Sequence, residues 1–328
     1  MPDFLEVLAG EESTRGWLTH LQARPTPDPV QLPSRDDLAP ILLDLAVPHQ
    51  DIDGLIARLP TPERTPDQWW LLERATAELT TTMGVIDGPP SFPRLPAELG
   101  PEGRFFFVYV FVAALPAARA FHQTRGIPAD VSRRTFADLG RNLAVHRWRT
   151  GEGGLGVPFW LMNHFRGKLY DLGRLQFERV KLGGRTGASV SAAGLPYGQG
   201  DFGLSVHIPE FSGPLSPAAC DSSFGAAREF FPRHFPDEPL GVAACYSWLL
   251  DPQLADYLPP ESNIVRFQQR FRHSHDLADA DADTMEFVFG QREPDLDKLP
   301  RDTTLQRAIV THLRAGRHWH GGASWSPL

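Results

Sequence analysis

Cysteine is almost missing from this chain. Cys220 and Cys245 are the only two among 328 residues. Two thiols make neither a disulfide scaffold nor a cysteine metal cluster, so no metal is expected and a reducing cytoplasm is the expected compartment. Lysine is nearly as scarce. Lys168, Lys181 and Lys298 are the only three, and arginine carries the rest of the positive charge. The net charge is −8, from 32 basic and 40 acidic residues. No basic stripe stands out, so nucleic acid is not an expected partner. Long hydrophobic runs are missing too. The longest, Phe105 to Leu115, is too short to span a membrane and stops at Pro116. The opening MPDFLEVLAGEEST lacks the basic start and apolar centre of a signal peptide. No membrane partner is therefore expected. No internal repeat is visible.

What is present is an ordinary globular composition, 41% hydrophobic and 22% charged. The length allows two modest domains or one large one. Residues 1–100 are proline-rich and irregular, with short helical patterns at 36–46, 51–59 and 67–83. Proline clusters at 25–33, 60–66 and 89–96 separate them. Trp69 and Trp70 read as core or interface. Phe105–Gln123 predicts a buried helix, and Ala129–Trp148 an amphipathic one capped by Asp130 or Ser132. The GEGGLG stretch at 151–156 follows no strand, so it reads as a hinge rather than a phosphate loop.

The character changes near residue 160. Tyr170–Lys181 alternates Leu172, Arg174, Gln176 and Glu178 against Gly173, Leu175, Phe177 and Arg179, the period of a strand. Arg185–Gly200 predicts a hairpin or mobile loop. Strands are expected at 202–209, 241–250 and 285–289. Helices are expected at 216–234, 252–258 and 303–314, with a further segment at 261–270. The expected class is α+β (α/β), with a helical domain at 1–160 followed by a mixed sheet flanked by helices at 161–328. Strands 202–209 and 241–250 are expected to be parallel neighbours, because a helix connects them.

The richest stretch is DFGLSVHIPEFSGPLSPAACDSS, from Asp201. Phe202, Leu204, Val206 and Ile208 alternate with Gly203, Ser205, His207 and Pro209. Glu210 to Pro214 is a turn by composition, and Ser216 with Pro217 has the pattern of a helix start. A strand feeding a short loop and a helix directs unpaired amides at one spot that suits an anion. His207 lies on the strand's polar face just before it. Its pKa range suits a general base, though a structural histidine bonded across the sheet has the same pattern. Glu210 is a base, a relay or an ordinary loop carboxylate. Ser247 is a proton donor or a small residue in a packed sheet. Tyr257 is a further candidate acid. Cys220 at a helix start, and Cys245 with His207, allow a thiol hydrolase reading. His273, His275, Asp276, Asp279, Asp281 and Asp283 read as a solvated loop rather than a metal site, and His318 to His320 as a tail.

The order strand, loop, helix, strand, helix, strand resembles the GCN5-related N-acetyltransferase (GNAT) fold. More specifically, GRLQFE, VHIPE, GPLSPAACDSS, REFFPRHFP, CYSWLLDPQLADYLPPESNIVRFQQRF and LPRDTTLQRAIVTHLRAG resemble a bacterial group. That group pairs a helical N-acyltransferase N-terminal domain with a GNAT-like C-terminal domain. The resemblance covers most of residues 100–320. It implies two central parallel strands that splay apart around an acyl-thioester, whose pyrophosphate meets the following helix. On this chain it implies Ile208, Gly213, Leu215 and Ser216 along the donor. Within such a fold His207, Glu210 and Ser247 are the candidates for catalysis, and Arg174, Gln176 and Trp248 for acceptor contacts, although Arg174 and Gln176 on one strand face also fit an ordinary polar face. It also implies acyl-CoA as co-substrate, no tightly bound cofactor, and a small-molecule or peptide amine as acceptor. The helical domain is expected to cover or shape the acceptor pocket. One departure is plain. The usual Gln/Arg-x-x-Gly-x-Gly/Ala loop is replaced by EFSGPLSP, with one glycine and two prolines that lack an N–H. That loop also admits an acyl carrier protein as donor, or a non-catalytic module that binds acyl-CoA or an acyl carrier.

Overall fold

The computed structural model describes residues 4–274 and 277–328. The chain divides into two compact units, Met1–Tyr170 and Asp171–Leu328.

The first unit is helical. Its helices are α1 (Phe4–Gly10), α2 (Glu12–Gln22), α3 (Arg35–Asp44), α4 (His49–Ala57), α5 (Pro66–Thr81), α6 (Gly100–Thr124), α7 (Ala129–Phe136), α8 (Asp138–Thr150) and α9 (Pro158–Phe165). They wrap α6. Every residue from Phe105 to Val112 is buried, as expected of a helix that is apolar on all sides. Among the described residues α6 alone is long and apolar enough to cross a membrane, and 67% of its apolar window is buried inside the protein. Phe92 stacks on Phe107 at 4.8 Å, and Phe111 meets Phe165 at 4.7 Å. Pro116 lies inside α6 without ending it. Trp69 and Trp70 are partly buried against this core.

Three expectations in this unit change. Residues 4–22 form α1 and α2 rather than irregular chain. The single helix expected at 129–148 is two, broken at Ala137. Neither Asp130 nor Ser132 caps it. Asp130 accepts from Arg134 at 2.8 Å, and the Ser132 hydroxyl lies 2.8 Å from His122 Nδ1. The GEGGLG segment ends α8, and a Cβ on Gly153 would sit 2.1 Å from Asp51 Oδ1. Close packing therefore accounts for that glycine.

The second unit holds β1 (Leu169–Asp171, which begins at the boundary), β2 (Gln176–Lys181), α10 (Gly184–Ala192), β3 (Phe202–His207), α11 (Pro217–His234), β4 (Val242–Ser247), α12 (Asn263–Gln268), β5 (Arg272–His273), β6 (Ala278–Asp279), α13 (Asp281–Phe289), α14 (Thr304–Arg314) and β7 (His320–Pro327). The sheet order is β1-β2-β3-β4-β7-β5, with β6 also on β7. β3 and β4 are parallel neighbours joined through α11, and β2 and β7 flank them antiparallel. This is the expected mixed α+β architecture.

Several elements differ from expectation. The strand read at 170–181 is two strands around a tight turn, in which the Leu172 N–H donates to Leu175 O at 3.1 Å. Gly173 takes φ +111° there, which a side chain would resist. Residues 184–192 are helical, because Gly187 lets α10 lie against the returning chain at Gly198 and Gln199. Met285–Phe289 ends a helix that Gly290 terminates, rather than forming a strand. Strand β4 stops at Ser247, where a 3₁₀ turn, Trp248–Leu250, begins. The helix expected at 252–258 is a 3₁₀ segment, Pro252–Asp256. The expected tail, His318 to His320, leads into β7, which His320 opens, and Trp319 just before it and Trp325 within it are fully buried.

Candidate functional site

Strand register sorts the side chains by face. Gln176 pairs with His207, Glu178 with Ser205, and Ser205 with Ala244. Partners across a ladder share a face, and alternate residues do too. One face therefore carries Phe177, Leu204, Val206, Ala243, Cys245 and Ser247. Helix α11 covers it, with Phe224 and Phe231 edge-on to Phe177 at 5.5 and 6.4 Å. The other face carries Gln176, Glu178, Ser205, His207, Ala244 and Tyr246. Its lower end is closed by Leu182, Val190, Val242 and Trp325. At its upper end Tyr246 is 64% exposed, whereas Gln176 and Glu178 are buried.

The two central strands part at that end. The parallel ladder pairs Leu204 with Ala243 and Ser205 with Ala244. Beyond it β3 runs on to His207 paired with β2, and β4 runs on to Ser247 paired with β7. The last residues of the two strands are thus not paired with each other.

His207 stands on this face, at the end where the strands part. Its Nε2 lies 3.1 Å from Glu178 Oε2. Glu178 comes from the neighbouring strand, one diagonal step away. The side chains are 24% and 11% exposed, so the pair is half-sheltered but reachable. Gln176, directly opposite His207, is buried.

After His207 the chain turns through Ile208 and Pro209 into the loop Glu210–Ser216. Ile208 and Glu210 are half-buried. Phe211 is 62% exposed and takes φ +56°, an uncommon conformation for a bulky residue. Gly213 is exposed with φ +78° and open space where a Cβ would stand. Leu215 is buried. The Ser216 side chain caps α11 by accepting the Ala219 N–H at 3.3 Å, as the Ser-Pro start predicts.

The remaining candidates lie apart from this pair. Ser247 is on the α11 face, and its hydroxyl oxygen accepts the Leu249 N–H at 3.1 Å. Trp248 is buried in a core with Leu254, Leu258, Ile309 and Trp319. Arg174 sits in the β1–β2 turn and not on the strand with Gln176, and its Nη1 donates to Pro209 O at 3.3 Å. The Tyr257 hydroxyl lies 3.0 Å from His312 Nδ1. Both cysteines are buried. Burial pushes the Cys245 thiol up to about 12 and raises Cys220 as well. The low-pKa thiol expected of a cysteine nucleophile is therefore not formed at either position.

The acidic stretch is ordered where it is described. Asp279 ends β6, while Asp281 and Asp283 open α13. His318 Nδ1 lies 2.7 Å from Asp281 Oδ2, and this bond raises the imidazole above its usual range. Asp279, Asp281 and His318 bring their ligating atoms within 4.8 Å of one another on the surface. His273 Nδ1 contacts Ser324 Oγ at 2.9 Å. His275 and Asp276 lie outside the described residues.

Sequence reasoning did not single out Glu178, the partner of the candidate base His207. The signal for Glu178 was its polar alternation, but a single strand does not reveal which neighbour it meets.

Known families agree with this geometry. Residues 36–167 match the N-acyltransferase N-terminal domain, and residues 169–325 the GNAT-like C-terminal domain. The chain belongs to the GNAT-superfamily acyltransferases that join these two domains. Among solved structures, an acyltransferase in complex with decanoyl-CoA is 40% identical over 98% of both chains, with a TM-score of 0.89. A mutant acyltransferase in complex with octanoyl-CoA is 39% identical over 99% of both, at 0.88. An acyltransferase in complex with decanoyl-CoA and teicoplanin is 40% identical over 98% of this chain and 97% of that one, at 0.87. No curated protein matches the chain.

Proposed function

We propose that this acyltransferase moves an acyl group of medium length from acyl-CoA to an amine of a small molecule or peptide, with His207 as general base. The observation that carries the reading is the His207–Glu178 pair beside the parted strands, on the face opposite α11. The relatives bound to decanoyl-CoA and octanoyl-CoA support the donor, and the one bound to teicoplanin makes that molecule the first acceptor to try.

The chemistry needs little machinery. When Glu178 accepts the Nε2 proton, the neutral imidazole carries its lone pair on Nδ1. Nδ1 takes a proton as the amine nitrogen attacks the thioester carbonyl. The C–N bond forms, the C–S bond breaks, and the departing thiolate takes that proton back from the imidazolium. Glu178 holds the ring and stabilises the imidazolium as it forms. Tyr246, on the same face, is better placed than Ser247 to reach the reacting atoms. The donor's pyrophosphate meets the loop at Gly213, Leu215 and Ser216.

The test is thiol release from decanoyl-CoA with a panel of amines that includes teicoplanin, with products identified by mass spectrometry. His207→Ala lowers turnover by about 10²-fold or more, the scale of a lost general base, and leaves CoA affinity near that of the wild type. Wild-type turnover in His207→Ala would remove the base assignment. CoA binding without thiol release from any amine would favour a non-catalytic binding module. Turnover with an acyl carrier protein alone would replace the donor.

A further inference from the structure

The loop before α11 offers few backbone donors for an anion. Pro214 and Pro217 have no N–H. The Ala219 N–H is taken by Ser216 Oγ at 3.3 Å, and the Cys220 N–H by Ser216 O at 3.0 Å. Among the described residues, the amides of Gly213, Leu215 and Ser216 have no protein acceptor. Ala218, the second residue of α11, has no intrahelical acceptor by helix geometry. The remaining amides, of Gly213, Leu215, Ser216 and Ala218, are neutral donors, and a doubly charged diphosphate is bound more strongly where full positive charge is added.

Two guanidinium groups bracket this loop. Arg174, from the β1–β2 turn, holds the loop's start by donating to Pro209 O at 3.3 Å. Arg270, just past α12, holds its end. Arg270 Nη2 donates to Pro217 O at 3.1 Å and Nη1 to Asp221 Oδ1 at 2.6 Å. Its Nε is buried and, among the described residues, has no partner. Both groups come near the first turn of α11, where each opposes the effect of burial on the Cys220 thiol. Neither arginine comes from the loop or from α11. The Asp221 carboxylate that now faces Arg270 is 66% exposed, so water can take it over when an anion arrives.

We infer that Arg270 and Arg174 bind the diphosphate of coenzyme A, supplying the positive charge and the donors that a glycine-rich loop would otherwise provide. This rests on the reading above that the donor is acyl-CoA. Arginine suits the task because its planar fork matches phosphate oxygens two at a time. Arg270 exchanges Asp221 for a phosphate oxygen, while its bond to Pro217 O keeps it in place.

The experiment compares decanoyl-CoA with decanoyl-pantetheine, which has the same thioester and no diphosphate, on the full chain. Arg270→Gln weakens CoA binding about tenfold to a hundredfold, the scale of a lost charge-assisted contact. The loss appears in KM for decanoyl-CoA, and KM for decanoyl-pantetheine does not follow it. Arg174→Gln behaves the same way, and Arg270→Lys recovers part of the affinity. Asp221→Asn removes the competing carboxylate, so CoA binds as tightly or more tightly. A structural clamp between Arg270 and Asp221 predicts the reverse, with both variants less stable and both donors affected alike. That result overturns the inference. So does a wild-type enzyme that uses both donors with the same kcat/KM, which would leave the acyltransferase reading intact. If CoA does not bind and neither donor is used, the donor assignment itself fails and takes this inference with it.

Discussion

His122 is fully buried in the helical unit, with its ring stacked 4.7 Å from Phe136 and its Nδ1 beside the Ser132 hydroxyl. Burial disfavours the charged ring and lowers its pKa to about 4. In the unfolded chain the same ring titrates near 6.5. Above that value both states are neutral and the histidine adds no pH dependence. Between about 6.5 and 4 only the unfolded chain takes up the proton, so stability falls as pH falls. The whole step is worth about 3 kcal/mol. His122→Phe keeps the ring stack and removes the titration. Urea unfolding at pH 7 and pH 4.5 should show a smaller acid loss in the variant than in the wild type; equal losses would mean His122 is not the sensor. His207 is half-sheltered on the sheet face opposite α11, with a carboxylate at 3.1 Å. Its place beside the loop was legible from the alternation of Phe202–Pro209. Its partner was not, because Glu178 meets it only through a ladder whose register no single strand encodes.

At the scale of elements, α11 shows why some of the chain was legible. Ser216, Pro217 and the run that follows state a helix start in local chemistry, and the observed N-cap uses them. Thr303 and Gln306 do the same for α14 with a full capping box. The misread elements lack such signals or carry contrary ones. Helix α10 is built from glycine, serine and alanine, which favour turns in isolation, and it forms because its neighbours accept a slim helix. The end of α13, Met285–Phe289, has the apolar run of a strand and is fixed as helix by its acidic first turn and by Gly290. The cap on α11 gives a direct test. Ser216→Ala removes the acceptor for the Ala219 N–H and should cost about 1 kcal/mol of stability, read as a lower urea midpoint at an unchanged slope. It should also weaken CoA binding, because the Ser216 hydroxyl accepts the Ala219 N–H and, among the described residues, donates to no protein group, so its proton can go to a phosphate oxygen. A midpoint within error of the wild type would show that Pro217 and the helix interior hold this end without the cap.

Across the whole molecule, the two units divide the kinds of evidence that sequence can give. The helical unit announces its core in one segment, Phe105–Val112, which is apolar enough to be buried whatever surrounds it. The sheet unit builds its site from β2, β3, the loop and β4, spread over some seventy residues, and seats β7 from the far C-terminus beside β4. That order cannot be read from local pattern, so the C-terminal residues look like a tail until the ladder is known. The same division predicts where ligand is felt. Among the described residues the amides of Gly213, Leu215 and Ser216 have no acceptor, so they exchange quickly in the free protein. With CoA at about 100 times its Kd, ligand protection is worth up to about 2.7 kcal/mol, or roughly a hundredfold slower exchange. Hydrogen exchange on the full chain should therefore show its largest CoA-dependent slowing at residues 213–218. A smaller effect is expected at the upper ends of β3 and β4, where the strands part. A maximum anywhere within residues 4–165 would put the donor site in the wrong half of the protein and overturn the placement argued from the loop.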